Sequence, residues 1–284
     1  MEFAFIFAAF GVKVSVVEAL EECLMTCDHE ICAQISAIAA EQGIMLYNGS
    51  QVEEILPTED GACVVGFSDP SKMKKYIPAR KVLLAVGRAP CCEGLGLENS
   101  GIALNDNGCG IKVNDKMQTN IPGIYAIGDV TNRVMLAHVA SQQGIVAVNN
   151  IMGHDCLMDY AAVPNAIFTE PEIATVGVSE KAAQAAGIAI ECGKFPFSAN
   201  GKALALGKEE GFVKIITAQA TEEIIGGAII GPNATELIAE ITLAVANRMK
   251  AEQFAKTIFA HPTTSEAVHE AALTLEGGSP HFAG

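Results

Sequence analysis

No stretch of the form G-x-G-x-x-G occurs anywhere in the 284 residues. The chain therefore supplies no complete dinucleotide-binding βαβ unit, whose phosphate turn needs those glycines. Tryptophan is absent and charged residues make up only 18% of the sequence, while half of it is hydrophobic. With no low-complexity segment, this composition excludes a disordered chain and suits one large or two to three small globular domains. Basic residues are scarce, 18 against 33 acidic ones, and the net charge of −15 argues against a nucleic-acid backbone or an anionic membrane as partner. No apolar run is long enough to span a bilayer. Phe3 to Val12 imitates a signal-peptide core, but it lacks a basic flank and carries Glu2. The nine cysteines have no regular spacing and read as reduced thiols of a cytoplasmic protein, not as a secreted disulfide framework.

The most informative stretch is IPGIYAIGDVTNRVMLAHVASQQG, residues 121–144. Gly123 to Ile127 reads as a short buried strand running into Gly128-Asp129, followed by a loop and a helix from about Ala137 to Ile151. Gly128 permits backbone conformations that a Cβ resists and a close approach by a ligand. Asp129 falls at the carboxyl end of the strand, where open α/β sheets bind ligands, and its carboxylate suits a hydroxyl-bearing group such as ribose or ribitol. On these residues alone it equally suits a cap for the next helix. Upstream, a helix over 1–10, Gly11 and a strand over Lys13–Val17 lead to Glu18, an acid where a ribose hydroxyl is commonly bound and where a solvated strand end is also common. Near the other terminus stands His261-Pro262-Thr263-Thr264-Ser265-Glu266. Thr263 and Glu266 have capping-box spacing ahead of a helix from about Ser265 to Leu275.

YAIGDV with MLAHVASQQG, AVGRAP at residues 85–90 and HPTTSE at 261–266 together resemble the flavin-dependent pyridine nucleotide-disulfide oxidoreductases. The resemblance runs over essentially the whole chain. It implies an α/β fold with partial doubly wound NAD- and FAD-binding domains, residues 1–88 and 89–157, followed by an α+β dimerisation domain, residues 158–284. It implies FAD and NAD as cofactors and no metal. Glu18 would hold the NAD ribose, Val52 would touch its adenine half and Gly87 would lie near the nicotinamide. Gly128 and Asp129 would meet the ribityl chain of the flavin. Met135, Leu136, Ala137 and His138 would lie along the flavin and pyrophosphate, His138 through its backbone. No arginine follows Glu18 in VVEALEE, which favours NAD over NADP. His261 would be the acid-base for a substrate dithiol and Glu266 would orient it, acting across a homodimer on the partner's redox disulfide. The implied reaction is oxidation of dihydrolipoamide on the lipoyl domains of a 2-oxoacid dehydrogenase or glycine cleavage system, with electrons passing through FAD to NAD. The redox cysteines and the glycine loops are the parts of that pattern not found, so an amino-terminally truncated chain, inactive alone, is expected. A soluble NAD-linked transhydrogenase or other disulfide reductase of the same fold, and a non-catalytic dimerisation fragment, remain open.

The rest of the chain carries ordinary structural expectations. A helix is expected over 28–42, with Ile31, Ile35, Ile38 and Ala39 on one face. Cys27 and Cys32 imitate the family's C-x4-C, but their flanks are wrong and five helical residues separate them too far for a disulfide. Strands are expected over 44–56, 63–67, 76–78 and 81–86. Cys91 and Cys92, adjacent in the following loop, read as free thiols. After a linker at 153–159, a turn-containing strand over 167–177, a helix capped by Ser179 and strands near 212–217 and 224–230 precede a helix opened by a capping box at Asn233 and Glu236.

Overall fold

The computed structural model describes residues 1–282. The chain divides into two compact units. One joins Met1–Val82 to the chain from Ala161 onward, and the other is Leu83–Tyr160.

The first unit begins with α1 (Glu2–Ala9), β1 (Ser15–Val17), α2 (His29–Glu41) and β2 (Met45–Tyr47). β1 and β2 pair in parallel, Val16 opposite Leu46. Parallel neighbours need a long crossover, and α2 provides it. Its Ile31, Ile35, Ile38 and Ala39 are buried, as their helical spacing requires. β3 (Gln51–Pro57), β4 (Cys63–Ser68) and β5 (Lys74–Ala79) form an antiparallel meander. The expected strand over 44–56 is therefore two strands in two sheets. Gly49, at φ +63 with Pro70 Cγ 3.0 Å from where a Cβ would stand, makes the turn between them. Cys27 lies just ahead of α2. The Cys32 thiol donates to the Leu24 carbonyl (3.2 Å), and both cysteines are free and buried.

The second unit holds α3 (Leu97–Ser100), a 3-10 turn over Gly128–Thr131 and α4 (Ala137–Ile151). Two expected strands are missing among the described residues. Residues 81–86 join no ladder and lie exposed, Val86 to 93%. Residues 123–127 make a single bridge, Tyr125 with Gln118. A β-prone apolar run needs a neighbouring strand for its backbone groups; 81–86 has none among the described residues, and 123–127 meets only the short run 117–119, where the Ala126 N–H donates to the Met117 carbonyl (3.1 Å).

The first unit is completed by β6 (Pro164–Ile167), β7 (Glu172–Gly177), α5 (Glu180–Ala186), β8 (Ile190–Pro196), α6 (Gly201–Leu206), β9 (Phe212–Ala218), β10 (Ile224–Gly231), α7 (Ala234–Ala246), α8 (Ala251–Ala255) and α9 (Glu266–Leu275). The strands form one antiparallel sheet in the order β6-β7-β10-β9-β8. Alternation along each strand sends side chains to opposite faces. Ala174, Val213, Ile215 and Ile229 pack with Ile241 of α7 and Val268 and Ala271 of α9. Ile173, Phe212, Ala228 and Ile230 face the other way, onto Phe5 of α1 and Ile31 and Ile35 of α2.

Two polar groups fix this arrangement. Lys214, on the α1–α2 face of β9, is 2% exposed and ion-pairs with Glu30 of α2 and Glu180 of α5, with Asp28 Oδ2 3.9 Å away. Burial alone would drive its ammonium pKa down, but the carboxylates outweigh it and hold the pKa above the ordinary lysine value. At α7 the expected capping box does not form. Asn233 sits at φ +59 with no side-chain cap bond, and Glu172 of β7 caps the helix instead. A carboxylate on a neighbouring strand leaves Asn233 free to reach elsewhere.

Candidate functional site

His261 stands in the loop that leads into α9. Its Nδ1 is 2.9 Å from Glu266 Oε1, and the Thr263 N–H donates to Glu266 Oε2 at 2.8 Å. Each oxygen of the carboxylate thus has one fixed partner. The capping box read from Thr263 and Glu266 is half made, because the Thr263 hydroxyl donates to the Ala260 carbonyl (2.7 Å). Burial would raise the Glu266 pKa, but the Thr263 N–H and His261 together lower it below the ordinary glutamate value. The His261 side chain is 79% exposed against 25% for Glu266. The arrangement presents an oriented imidazole to the surface, with Nε2 free of the carboxylate. Such a ring can take up a proton at Nε2 while Glu266 supports the charge at Nδ1.

The loop is tied down by residues that no motif revealed. Asn200 Nδ2 donates to the Thr263 carbonyl (3.1 Å), and Asn233 Nδ2 donates to the Thr264 hydroxyl (3.3 Å). Glu240 of α7 interacts with Ser265, and its buried Oε2 has no hydrogen-bond partner among the described residues. Burial pushes its carboxyl up, opposed by Ser265. Asn233 was visible in the sequence only as a helix cap, and Asn200 and Glu240 carried no signal.

Elsewhere in the first unit, Glu18 follows directly on β1. Its N–H donates to the Tyr47 carbonyl (3.0 Å), its carbonyl accepts from Ser50 N–H (2.8 Å), and its Oε1 accepts from Leu20 N–H (2.9 Å). The backbone is held on both sides, while Oε2 bonds no protein group among the described residues. Val52, two residues beyond Ser50, is 42% exposed. It lines an open hollow of ≈ 780 Å³ with Gln51, Glu53, Ser68, Lys72 and Lys74. The structure thus links the Glu18 strand end to the strand that carries Val52.

In the second unit, Gly128 has φ +72, and a Cβ there would stand 3.3 Å from the Ala140 Cβ. Its N–H donates to Gln143 Oε1 (2.6 Å), and its carbonyl accepts from the Thr131 hydroxyl (2.8 Å). Gln143, buried on α4, passes a second hydrogen bond to Tyr160 (2.9 Å), whose ring lies 4.3 Å from the Arg133 guanidinium carbon. This network fixes the turn that carries Asp129. The Asp129 side chain is exposed and makes no hydrogen bond among the described residues. Met135 and Leu136 are half-buried, and Ala137 and His138 are exposed in the first turn of α4. Leu136 precedes that turn without a side-chain cap, which leaves backbone N–H groups for an anion. Gly87 lies in the irregular run at φ +109 with open space around it.

These features fit parts of two nucleotide cofactors. The Glu18 and Asp129 carboxylates suit ribose and ribityl hydroxyls, and the uncapped start of α4 suits a pyrophosphate. The glycine turn of either dinucleotide site has no counterpart in the chain.

Residues 1–144 match the pyridine nucleotide-disulphide oxidoreductase family, and residues 163–272 match the dimerisation domain of pyridine nucleotide-disulphide oxidoreductases. The chain belongs to this family. Dihydrolipoyl dehydrogenase from Chlamydia pneumoniae is 40% identical over 281 residues, 99% of this chain and 59% of the relative; that from Thermus scotoductus is 38% identical over 282 residues, 99% and 61% respectively. Among solved structures, LpdA from Mycobacterium tuberculosis superposes with a TM-score of 0.87 at 31% identity, covering 96% of this chain and 59% of that one. The HOCl-induced flavoprotein disulfide reductase RclA from Escherichia coli gives 0.84 at 26% identity, with coverage of 95% and 61%. The chain thus spans about three-fifths of the length of the relatives it matches. Among the described residues, no helix is long and apolar enough to cross a membrane.

Proposed function

We propose that this chain carries the acid-base half of a dihydrolipoamide-oxidising flavoenzyme, with FAD and NAD as its cofactors. The observation that supports this most is the His261–Glu266 pair, with Glu266 held by the Thr263 N–H. In this reading His261 takes a proton from one thiol of dihydrolipoamide, Glu266 fixes the ring and supports its positive charge, and the dithiol leaves as a cyclic disulfide. FAD would relay the electron pair to NAD. Glu18 and Val52 belong to the NAD site. Gly87, Gly128, Asp129, Met135, Leu136, Ala137 and His138 line the flavin and nicotinamide side. Residues 1–88, 89–157 and 158–284 are the NAD, FAD and dimerisation domains. The protein works as a cytoplasmic homodimer on lipoyl domains, and the redox disulfide and glycine turns lie in the part of the relatives that this chain does not match.

The test is a chimera in which the unmatched part of the Chlamydia pneumoniae relative is joined to this chain. His261→Ala should lower dihydrolipoamide oxidation by about 10² to 10⁴, the usual contribution of a positioned histidine. Transfer from NADH through the flavin to a dye needs no dithiol and should survive. Intact dithiol turnover, or equal loss of the dye reaction, overturns the assignment.

A further inference from the structure

Nine cysteines are free in this chain, and only two are neighbours in sequence. Cys91 and Cys92 lie in the irregular run after residue 80, Cys91 exposed and Cys92 half-buried, and neither sulfur makes a hydrogen bond among the described residues. Cys109 and Cys156 are half-buried and stand singly in sequence, and the remaining five thiols are placed differently. Cys23, Cys27 and Cys32 are buried, and burial pushes Cys32 up to about 11. Cys192 is likewise raised to about 11, by desolvation first and then by Glu180. The Cys63 thiol is engaged with the Ala79 carbonyl at 3.3 Å.

Geometry decides what an adjacent pair can do. The peptide between Cys91 and Cys92 is trans, which fixes the two Cα atoms about 3.8 Å apart. Disulfides usually span Cα separations of about 4.4 to 6.8 Å, so an S–S bond here would be strained and easily reduced. One atom inserted between the sulfurs lengthens the bridge and removes that constraint. The surrounding run joins no strand ladder, and the backbone bond at the pair, from Leu95 N–H to the Cys92 carbonyl, is long at 3.4 Å.

We propose that Cys91 and Cys92 form a chelating site for a trivalent thiophile, with organic arsenic(III) as the representative ligand. With an arsenoxide, R–As=O, two As–S bonds form, the oxygen leaves as water with both thiol protons, and nothing is oxidised or reduced. The second As–S bond is intramolecular. Closing such a ring typically strengthens binding by about 10² to 10⁴ over a single attachment. This site is independent of the dihydrolipoamide reading, and neither depends on the other's outcome.

The probe is phenylarsine oxide at one equivalent, read by intact-protein mass spectrometry and peptide mapping on the chain as it is. The expected result is one adduct per chain, mapped to the peptide holding Cys91 and Cys92. It should withstand excess 2-mercaptoethanol and be removed by dimercaptopropanol. Cys91→Ser and Cys92→Ser should each need at least about 100-fold less monothiol to strip the adduct. Cys27→Ser with Cys32→Ser should leave it unchanged. Circular dichroism confirms that each variant is folded. A monothiol-resistant adduct that persists in Cys91→Ser, or no such adduct on the unaltered chain, overturns the proposal.

Discussion

Glu172 on β7 accepts two hydrogen bonds from Thr235, the backbone N–H at 3.0 Å and the hydroxyl at 2.7 Å. It closes the start of α7 in place of the residue that precedes the helix. Asn233 is thereby released to hold Thr264 (3.3 Å), three residues from His261. The cap and the loop are two ends of one polar arrangement.

Glu172→Ala should destabilise the fold by about 1 to 2 kcal/mol, the cost of losing a helix cap. Thermal unfolding should show a fall of roughly 2 to 4 °C per kcal/mol, with Glu172→Gln falling less. An unchanged midpoint in Glu172→Ala would show that water replaces the cap.

Lys214→Met should cost about 3 to 5 kcal/mol, because it leaves the buried Asp28 beside Glu180 and Glu30 with only Lys194, on Glu30, as a remaining cation. Adding Asp28→Asn should recover part of the loss, since it removes the most deeply buried of the three charges. Urea denaturation of the single and double variants measures the coupling. Strict additivity would contradict the ion-pair account.

The tail after α9 should be pH-sensitive. His281 Nδ1 lies 2.6 Å from the buried Glu270 Oε1, and the Ser279 hydroxyl donates to Oε2. The hydrogen bond that His281 donates to Glu270, then the charge of that carboxylate, raises the His281 pKa above 6.5. A raised histidine binds its proton more tightly when folded. The stabilisation is therefore complete below pH 6.5 and is lost as pH rises through the folded pKa. Amide exchange over residues 276–282, corrected for intrinsic rates, should accelerate across that window in the native chain and stay flat in His281→Ala.

In the chimera, Glu266→Gln should harm dithiol turnover less than His261→Ala. It keeps a hydrogen-bonding group but loses the charge that supports the imidazolium. The double variant should be little slower than His261→Ala, because the two residues act as one unit. A multiplicative loss would assign them separate roles.

The same chimera should prefer NAD over NADP strongly, since the Glu18 carboxylate repels a 2′-phosphate. Comparing kcat/KM for the two nucleotides decides this, and equal efficiency removes Glu18 from the ribose site.

Much of the dimerisation-type sheet was legible because its elements are locally consistent. Ser179 accepts the Ala182 N–H (3.2 Å) and Gly187 ends the helix at φ +68, as their types suggest. The HPTTSE run was legible for the same reason, since histidine, glutamate and turn lie within six residues. What was hidden depends on distant partners. Residues 81–86 have the right composition for a strand and no neighbour to pair with. Lys214, in the run FVKIIT, looks like an exposed strand residue until Glu30 and Glu180 arrive from far along the chain. Glu172 caps a helix more than sixty positions away, and no local pattern could announce it. The short helices α3, α6 and α8 are too brief to show a period.

The shared core of α1, α2 and the five-stranded sheet has a consequence in time. Phe5, Ile31 and Ile35 meet Ile173, Phe212, Ala228 and Ile230, residues made much later on the ribosome. At about 5 to 20 residues per second, the roughly 200 positions from Ile31 to Ile230 take about 10 to 40 s to synthesise. Through that interval the apolar faces of α1 and α2 wait without the strands that cover them. A nascent segment carrying α1 and α2 should therefore expose apolar surface until β10 emerges.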